Sequence, residues 1–228
     1  ALLALCCSSA AMAQSVSITG GVPAIESFDS LANTGNSSTL PAGWFLLESS
    51  GNTEYTADNG ALNSGTTYSY GATGNSERAF GSIRSGSNQP RIGARLINNS
   101  GSTLSELLIQ YTGEQWRVGT GAAADRLDFE ISFDASSLNT GTWTAVDTLD
   151  FTSRTSTPVT SALNGNAPEN RLAVSATVSL TTPLAPGATL WIRWVDADAP
   201  TNDDGLAIDD FSVGLAVDNP PQLTGSNP

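Results

Sequence analysis

The sequence predicts an all-β fold, a two-sheet antiparallel β-sandwich, and three observations carry that reading. Helical periodicity is almost absent. Apolar and polar residues alternate instead, and clusters of Gly, Asn, Ser, Thr and Pro separate the alternating runs. In chain order the runs predict strands over residues 24–28, 44–48, 67–70, 78–83 and 92–98, and longer ones over 104–112, 126–134, 142–149, 171–180, 189–196 and 206–213. So many strands joined by polar turns pack as two facing sheets.

Two strands show the logic. Between Leu127 and Asp134, Phe129, Ile131 and Phe133 share one face while Asp128, Glu130, Ser132 and Asp134 share the other, as expected of a half-buried strand. Leu190-Trp191-Ile192-Arg193-Trp194-Val195 is bulky on both faces, which predicts a central strand covered on both sides.

The 228 residues suit one large β domain with short extensions. Residues 1–13 read as the apolar part of an export signal ending in the small-x-small site Ala11-Met12-Ala13, with the basic front missing. Residues 15–217 form the expected domain. Residues 218–228 have a linker composition, and Pro221-Gln222-Leu223-Thr224-Gly225-Ser226-Asn227-Pro228 resembles the entry to a bacterial immunoglobulin-like domain, so a further domain is expected downstream. No apolar run is long enough for a transmembrane helix. Both cysteines, Cys6 and Cys7, lie in the leader, so the mature domain is expected to have no disulfide.

Composition removes several chemistries. There is no His, which excludes Ser-His-Asp triads, Cys-His pairs and histidine-ligated metals. Every basic residue is an Arg, so no phosphate loop with its Lys exists. A net charge of −13 opposes binding to nucleic acid and favours hard cations such as calcium, although it also serves solubility.

The strongest local signal is the stretch from Asp196 to Phe211, which holds Asp196, Asp198, Asp203, Asp204, Asp209 and Asp210. Strict alternation places Asp209 with Phe211 and Val213, and Asp210 with Ile208 and Leu206, so one carboxylate of the pair must approach packed apolar groups. Such a group needs a proton, an Arg such as Arg193, or a metal. Calcium with oxygen ligands fits; the alternative is a solvated acidic loop closed by bonds to turn amides. The stretch is not an EF-hand, because Thr201 stands where that loop requires Gly.

Five tryptophans, Trp44, Trp116, Trp143, Trp191 and Trp194, are candidates either for the core or for stacking on sugars. The strand pattern assigns Trp191 and Trp194 to the core. Trp116, with Glu114 and Arg117, stays open between core packing and a polar binding rim near a strand end. Carboxylate catalysis survives the loss of His. The acidic face Asp128, Glu130, Asp134 resembles the strand motif of laminarinase-type glycosidases, but Ser132 interrupts it.

Three phrases bear a family resemblance: Ile25-Glu26-Ser27-Phe28-Asp29-Ser30-Leu31, then Leu40-Pro41-Ala42-Gly43-Trp44, and finally Gly205-Leu206-Ala207-Ile208-Asp209-Asp210-Phe211-Ser212-Val213. In this order they resemble the bacterial choice-of-anchor J domains and are similar to cleaved-adhesin and MAM-type domains. The resemblance implies a jelly roll with a structural calcium, secreted or at the cell surface. It implies metal ligands at Asp209 and Asp210 on the last strand, and at Glu26 or Asp29 on the first strand beside it. The function it implies is non-catalytic: adhesion or carbohydrate binding, with a glycan or cell-surface protein as partner. Two other roles remain open, an accessory or spacer domain ahead of an extracellular nuclease or hydrolase, and a carboxylate glycosidase using Glu130 or Glu114.

Overall fold

A computed structural model describes residues 14–120, 123–157, 159–200 and 202–216; the expected leader at 1–13 and the linker at 218–228 lie outside them. The strands are β1 (Val16–Ile18), β2 (Ala24–Glu26), β3 (Asn36–Ser37), β4 (Trp44–Glu48), β5 (Tyr55–Asp58), β6 (Thr66–Tyr70), β7 (Ala79–Ile83) and β8 (Pro90–Asn98), followed by β9 (Leu104–Val118), β10 (Arg126–Ser132), β11 (Thr144–Ala145), β12 (Phe151–Thr152), β13 (Ser161–Ala162), β14 (Arg171–Leu184), β15 (Thr189–Asp196) and β16 (Gly205–Leu215).

They form two sheets. The seven-stranded sheet runs β1-β8-β15-β10-β11, with β4 on β8 and β12 on β10; the nine-stranded sheet runs β13-β9-β16-β7-β6-β5-β3, with β14 on β9 and β2 on β16. Pairing is antiparallel except for β1 with β8 and β5 with β6. The predicted antiparallel β-sandwich is therefore the fold, and the early strand β2 does lie beside the last strand β16.

The core fills the space between the sheets. Trp194 is fully buried at its centre, stacked on Trp44 at 6.1 Å and met edge-on by Phe129 at 4.9 Å, Tyr111 at 5.3 Å and Phe211 at 5.9 Å. Edge-to-face packing suits the ring quadrupoles. As expected, β15 is central, between β8 and β10, and its outward Trp191 is covered by Phe45 at 4.9 Å. A second apolar cluster, Tyr68, Tyr70, Ala79, Ile83, Trp116 and Ala207, lies on the opposite, outer face of the nine-stranded sheet.

Of the strand boundaries that differ from expectation, three bear on the site or the fold. The strand predicted over 24–28 ends at Glu26, because Phe28 takes a left-handed φ of 56° and the Glu26 carboxylate accepts its amide at 2.9 Å. Residues 142–149 form the two-residue β11 and then a 3-10 turn over Asp147–Leu149. The strand predicted to stop at 112 runs on to Val118, which carries Glu114 and Trp116 into the sheet.

Candidate metal centre on the outer face of the larger sheet

The last strand holds the decisive irregularity. Leu206, Ile208, Phe211 and Val213 all belong to the main core, which simple alternation forbids. A bulge between Asp209 and Ser212 absorbs the extra residue, with Asp210 at a left-handed φ of 48°. Asp tolerates that conformation better than most residues. Asp209 therefore shares the outer face with Ala207, and the expectation that it lies with Phe211 and Val213 is corrected. The side chain of Asp210 is exposed, while Asp209 is 6% exposed.

Asp209 meets partners absent from its own stretch. Glu77, just before β7, and Glu114 on β9 each bring a carboxylate oxygen into a group with Asp209, all within 4.8 Å of one another. Pairing explains the approach, since β9 lies directly beside β16 with Ala207 opposite Glu114 and Asp209 opposite Thr112. Glu114 Oε2 accepts a bond from Trp116 Nε1 at 2.9 Å, and Glu77 Oε2 accepts one from the Asn166 amide. Asp209 Oδ1 accepts the Asp210 amide at 2.7 Å.

Two oxygens remain over. Glu77 Oε1 and Glu114 Oε1 are buried and have no hydrogen-bond partner among the described residues. No Arg forms an ion pair with the trio among the described residues. Arg78 is adjacent in sequence but aims its guanidinium at the Ser69 hydroxyl and the carbonyls of Asp58, Ser69 and Ala72. Burial, with repulsion from neighbouring carboxylates, pushes Glu114 up to about 7 and Asp209 up to about 8, and burial with repulsion from Asp29 and Asp210 raises Glu77 as well. Three converging carboxylates, two of them with a free buried oxygen and none in an ion pair with an Arg, suit a hard divalent cation, whose remaining ligands would be backbone carbonyls or water, although Arg78 and Arg171 lie near enough to lower Glu77 and Glu114 in part. A lid completes the enclosure: a Cβ at Gly165 would fall 2.3 Å from Trp116 Nε1, so only glycine lets this loop lie on the indole.

The other expected residues are placed differently. Glu26 bonds Phe28 and borders a shallow recess with Ile25, Ser27, Asp210 and Phe211. Asp29 accepts the Arg78 amide at 3.2 Å and the Ser27 hydroxyl at 3.1 Å. Neither Glu26, Asp29 nor Asp210 belongs to the converging trio; the carboxylates of Asp29 and Asp210 act on it as nearby negative charges, and Asp210 adds only its backbone amide to Asp209. Glu77 carried no signal in the sequence, because its approach to Asp209 depends on long-range pairing.

The polar rim proposed for Trp116 and Glu114 is also corrected. Trp116 is 2% exposed and stacks on Tyr70 at 5.9 Å, and Glu114 is fully buried, so neither lines an open rim on which a sugar ring could stack. Arg117 bonds the carbonyls of Gly60 and Ala61 and borders a cavity of about 440 Å³. That cavity is polar, with Arg84, Asn63, Asp198, Asn202 and Thr160 also in its wall. On the seven-stranded sheet, Glu130 is paired with Arg193 at 2.5 Å, Asp128 with Arg126 at 2.5 Å, and Asp134 accepts the Thr142 amide at 2.7 Å.

No family model matches the chain, and no curated protein matches it. Among solved structures, the chain is similar to the K1 cleaved adhesin domain of Lys-gingipain from Porphyromonas gingivalis, at 14% identity and a TM-score of 0.45 over 86% of this chain and 100% of that one. It is similar to the K3 domain of the same protein at 15% identity and a TM-score of 0.44, over 76% and 91%. A family 11 carbohydrate-binding module from Clostridium thermocellum is similar at 11% identity and a TM-score of 0.37, over 81% and 98%.

Proposed function

We propose that the chain is a non-catalytic module for adhesion or carbohydrate binding, secreted or at the cell surface, with calcium as a structural cofactor. The observation that carries the calcium reading is the trio Glu77, Glu114 and Asp209, with two buried oxygens left free. When bound, calcium supplies positive charge and oxygen coordination. The chain's own residues fix the site: Trp116 and Asn166 orient the two glutamates, and the bulge turns Asp209 toward them. The ion would tie β9, β16 and the entry to β7 together. The polar cavity edged by Arg84, Arg117, Asn63 and Asn202 supports the ligand reading, because it offers the donors and acceptors that hold sugar hydroxyls. Among the described residues no helix is long and apolar enough to cross a membrane.

A glycan array probed with the calcium-loaded chain tests the ligand reading. Binding to a defined glycan class that is lost on Arg117→Ala supports it. An array with no signal, or binding indifferent to Arg117→Ala, removes the cavity as the ligand site.

A further inference from the structure

The nine-stranded sheet ends on one side in a long open border. Among the described residues β14 pairs only with β9, and its 14 residues make it the longest strand at the border of either sheet. One bond fixes the phase of its ladder: the Gln115 amide donates to the Asn170 carbonyl at 2.9 Å, one step before the Arg171–Glu114 pair. Hydrogen-bonded and non-hydrogen-bonded pairs alternate in an antiparallel ladder. Leu172, Val174, Ala176 and Val178 therefore turn their backbone groups to β9, while Ala173, Ser175, Thr177 and Ser179 turn theirs to the border. The backbone N–H and C=O groups of those four residues have no hydrogen-bond partner among the described residues, and all four residues are exposed. The 3-10 turn Asp147–Leu149 packs alongside β14, with Leu149 in the core, and bonds none of these groups.

Proteins block such a border with charge, proline, a bulge or a short strand. Over residues 172–179 β14 uses none of these. Its one charged residue is Arg171, and Pro183 and the register shift both lie beyond Ser179. Val174, Val178 and Leu180 belong to the core and hold the strand in place. The border is also complementary to itself. A two-fold axis through Ala176 sets Ala173 opposite Ser179, and Ser175 opposite Thr177, of a second copy. Each of these pairs is of the hydrogen-bonding kind, so four residues with one donor and one acceptor each give about eight bonds across the border. On the inner face Val174 meets Val178.

Charge selects the same partner. Glu106 on β9 stands opposite Ser179, on the outer face that Arg171 shares. In the two-fold pair, Arg171 of one copy comes to the end of β14 where Glu106 of the other copy lies, about 10 Å away across two strand spacings and within reach of a guanidinium side chain. Both residues are exposed, and Arg171 is in no ion pair among the described residues. Two chains of net charge −13 repel each other elsewhere; this border is neutral along its length and matched at its ends. We propose that β14 is a self-association edge, along which two copies of the chain pair β14 with β14 and join their nine-stranded sheets into one. The pairing is independent of the Glu77–Glu114–Asp209 trio and of the polar cavity.

Sedimentation equilibrium over a range of chain concentrations, combined with hydrogen exchange, tests this. A monomer–dimer equilibrium is expected. Amides of Ala173, Ser175, Thr177 and Ser179 should exchange freely in the dilute chain and slow at least about tenfold as the dimer forms, whereas those of Val174, Ala176 and Val178 are protected in both states. Thr177→Pro removes one outward N–H and leaves the ladder to β9 intact, so it should hold the chain monomeric with an unchanged circular dichroism spectrum. If that variant does not fold, the exchange pattern of the unmodified chain decides alone. A monomer mass at every concentration overturns the proposal. So does a dimer in which the four outward amides exchange as fast as in the dilute chain, since its interface then lies elsewhere.

Discussion

On the outer face of the seven-stranded sheet, Glu130 and Asp128 each lie beside an arginine; on the outer face of the nine-stranded sheet, Glu77, Glu114 and Asp209 lie beside one another. The first face neutralises its carboxylates from within. Arg193 stands opposite Glu130 in the register of β10 and β15, bonds the Leu138 carbonyl at 2.5 Å and lies 3.9 Å from the Trp143 ring centre. That one guanidinium clamps the loop after β10 to the sheet. On the second face Arg171 stands opposite Glu114 in the register of β9 and β14 but forms no ion pair with it, and the carboxylates are more deeply buried. The contrast shows what acidic patterning and register alone do not: an Arg stands opposite a Glu on both faces, and only on the first does its guanidinium reach the carboxylate.

The largest expected effect breaks this comparison through pH. A carboxyl raised above its unfolded value contributes stability that is fully present below the unfolded value and lost as pH rises through the folded one. With Glu114 at about 7 and Asp209 at about 8, the metal-free chain should lose stability between about pH 4 and pH 8, on the order of a few kcal/mol. Asp125 and Asp196 are raised as well and act in the same direction, so the trio's share is read as the part of the slope removed in Asp209→Asn. Urea denaturation at several pH values measures it, and a slope unchanged in that variant would contradict the burial assigned here.

Calcium itself comes next. At a free concentration about a hundredfold above Kd, binding at the trio should add about 2.7 kcal/mol. In a domain of this size that raises Tm by about 5–10 °C. Glu114→Gln should remove this gain, yet stabilise the metal-free chain near pH 8 by relieving repulsion. The opposite signs, read in paired melts, separate a ligand from a packing residue.

On the other face, Arg193→Ala should cost about 1–2 kcal/mol through the lost cation-π contact and ion pair, with no change in calcium response. A calcium response altered by this change would mean that the two faces are coupled. The smallest effect is at Asp210. Replacing it with Gly relieves the left-handed backbone and should change stability by less than about 1 kcal/mol, leaving calcium affinity in place. A large fall in affinity would return Asp210 to the ligand set.

Much of the fold was legible because alternation is local. The spans of β4 and β15 match their predicted limits, and the doubly bulky pattern of β15 marked it as central. Short strands such as β3, β12 and β13 left no pattern to read at two residues each. The site was legible only in part. An acidic pair on the last strand, with one member near packed apolar groups, was readable from residues 209 and 210. The bulge that puts Asp209 on the outer face was not, since it depends on Phe211 returning to the core. Trp116 stayed open between core and rim because nothing in its own strand announces that Tyr70 and Gly165 cover it.

A crystal structure of the calcium-soaked chain, with the ion located by its anomalous scattering, tests the central claim most directly. The account predicts a peak bound by Glu77, Glu114 and Asp209 at about 2.3–2.6 Å from their oxygens. A map with no peak there at saturating calcium, and those carboxyls bonded to one another through shared protons, would contradict it.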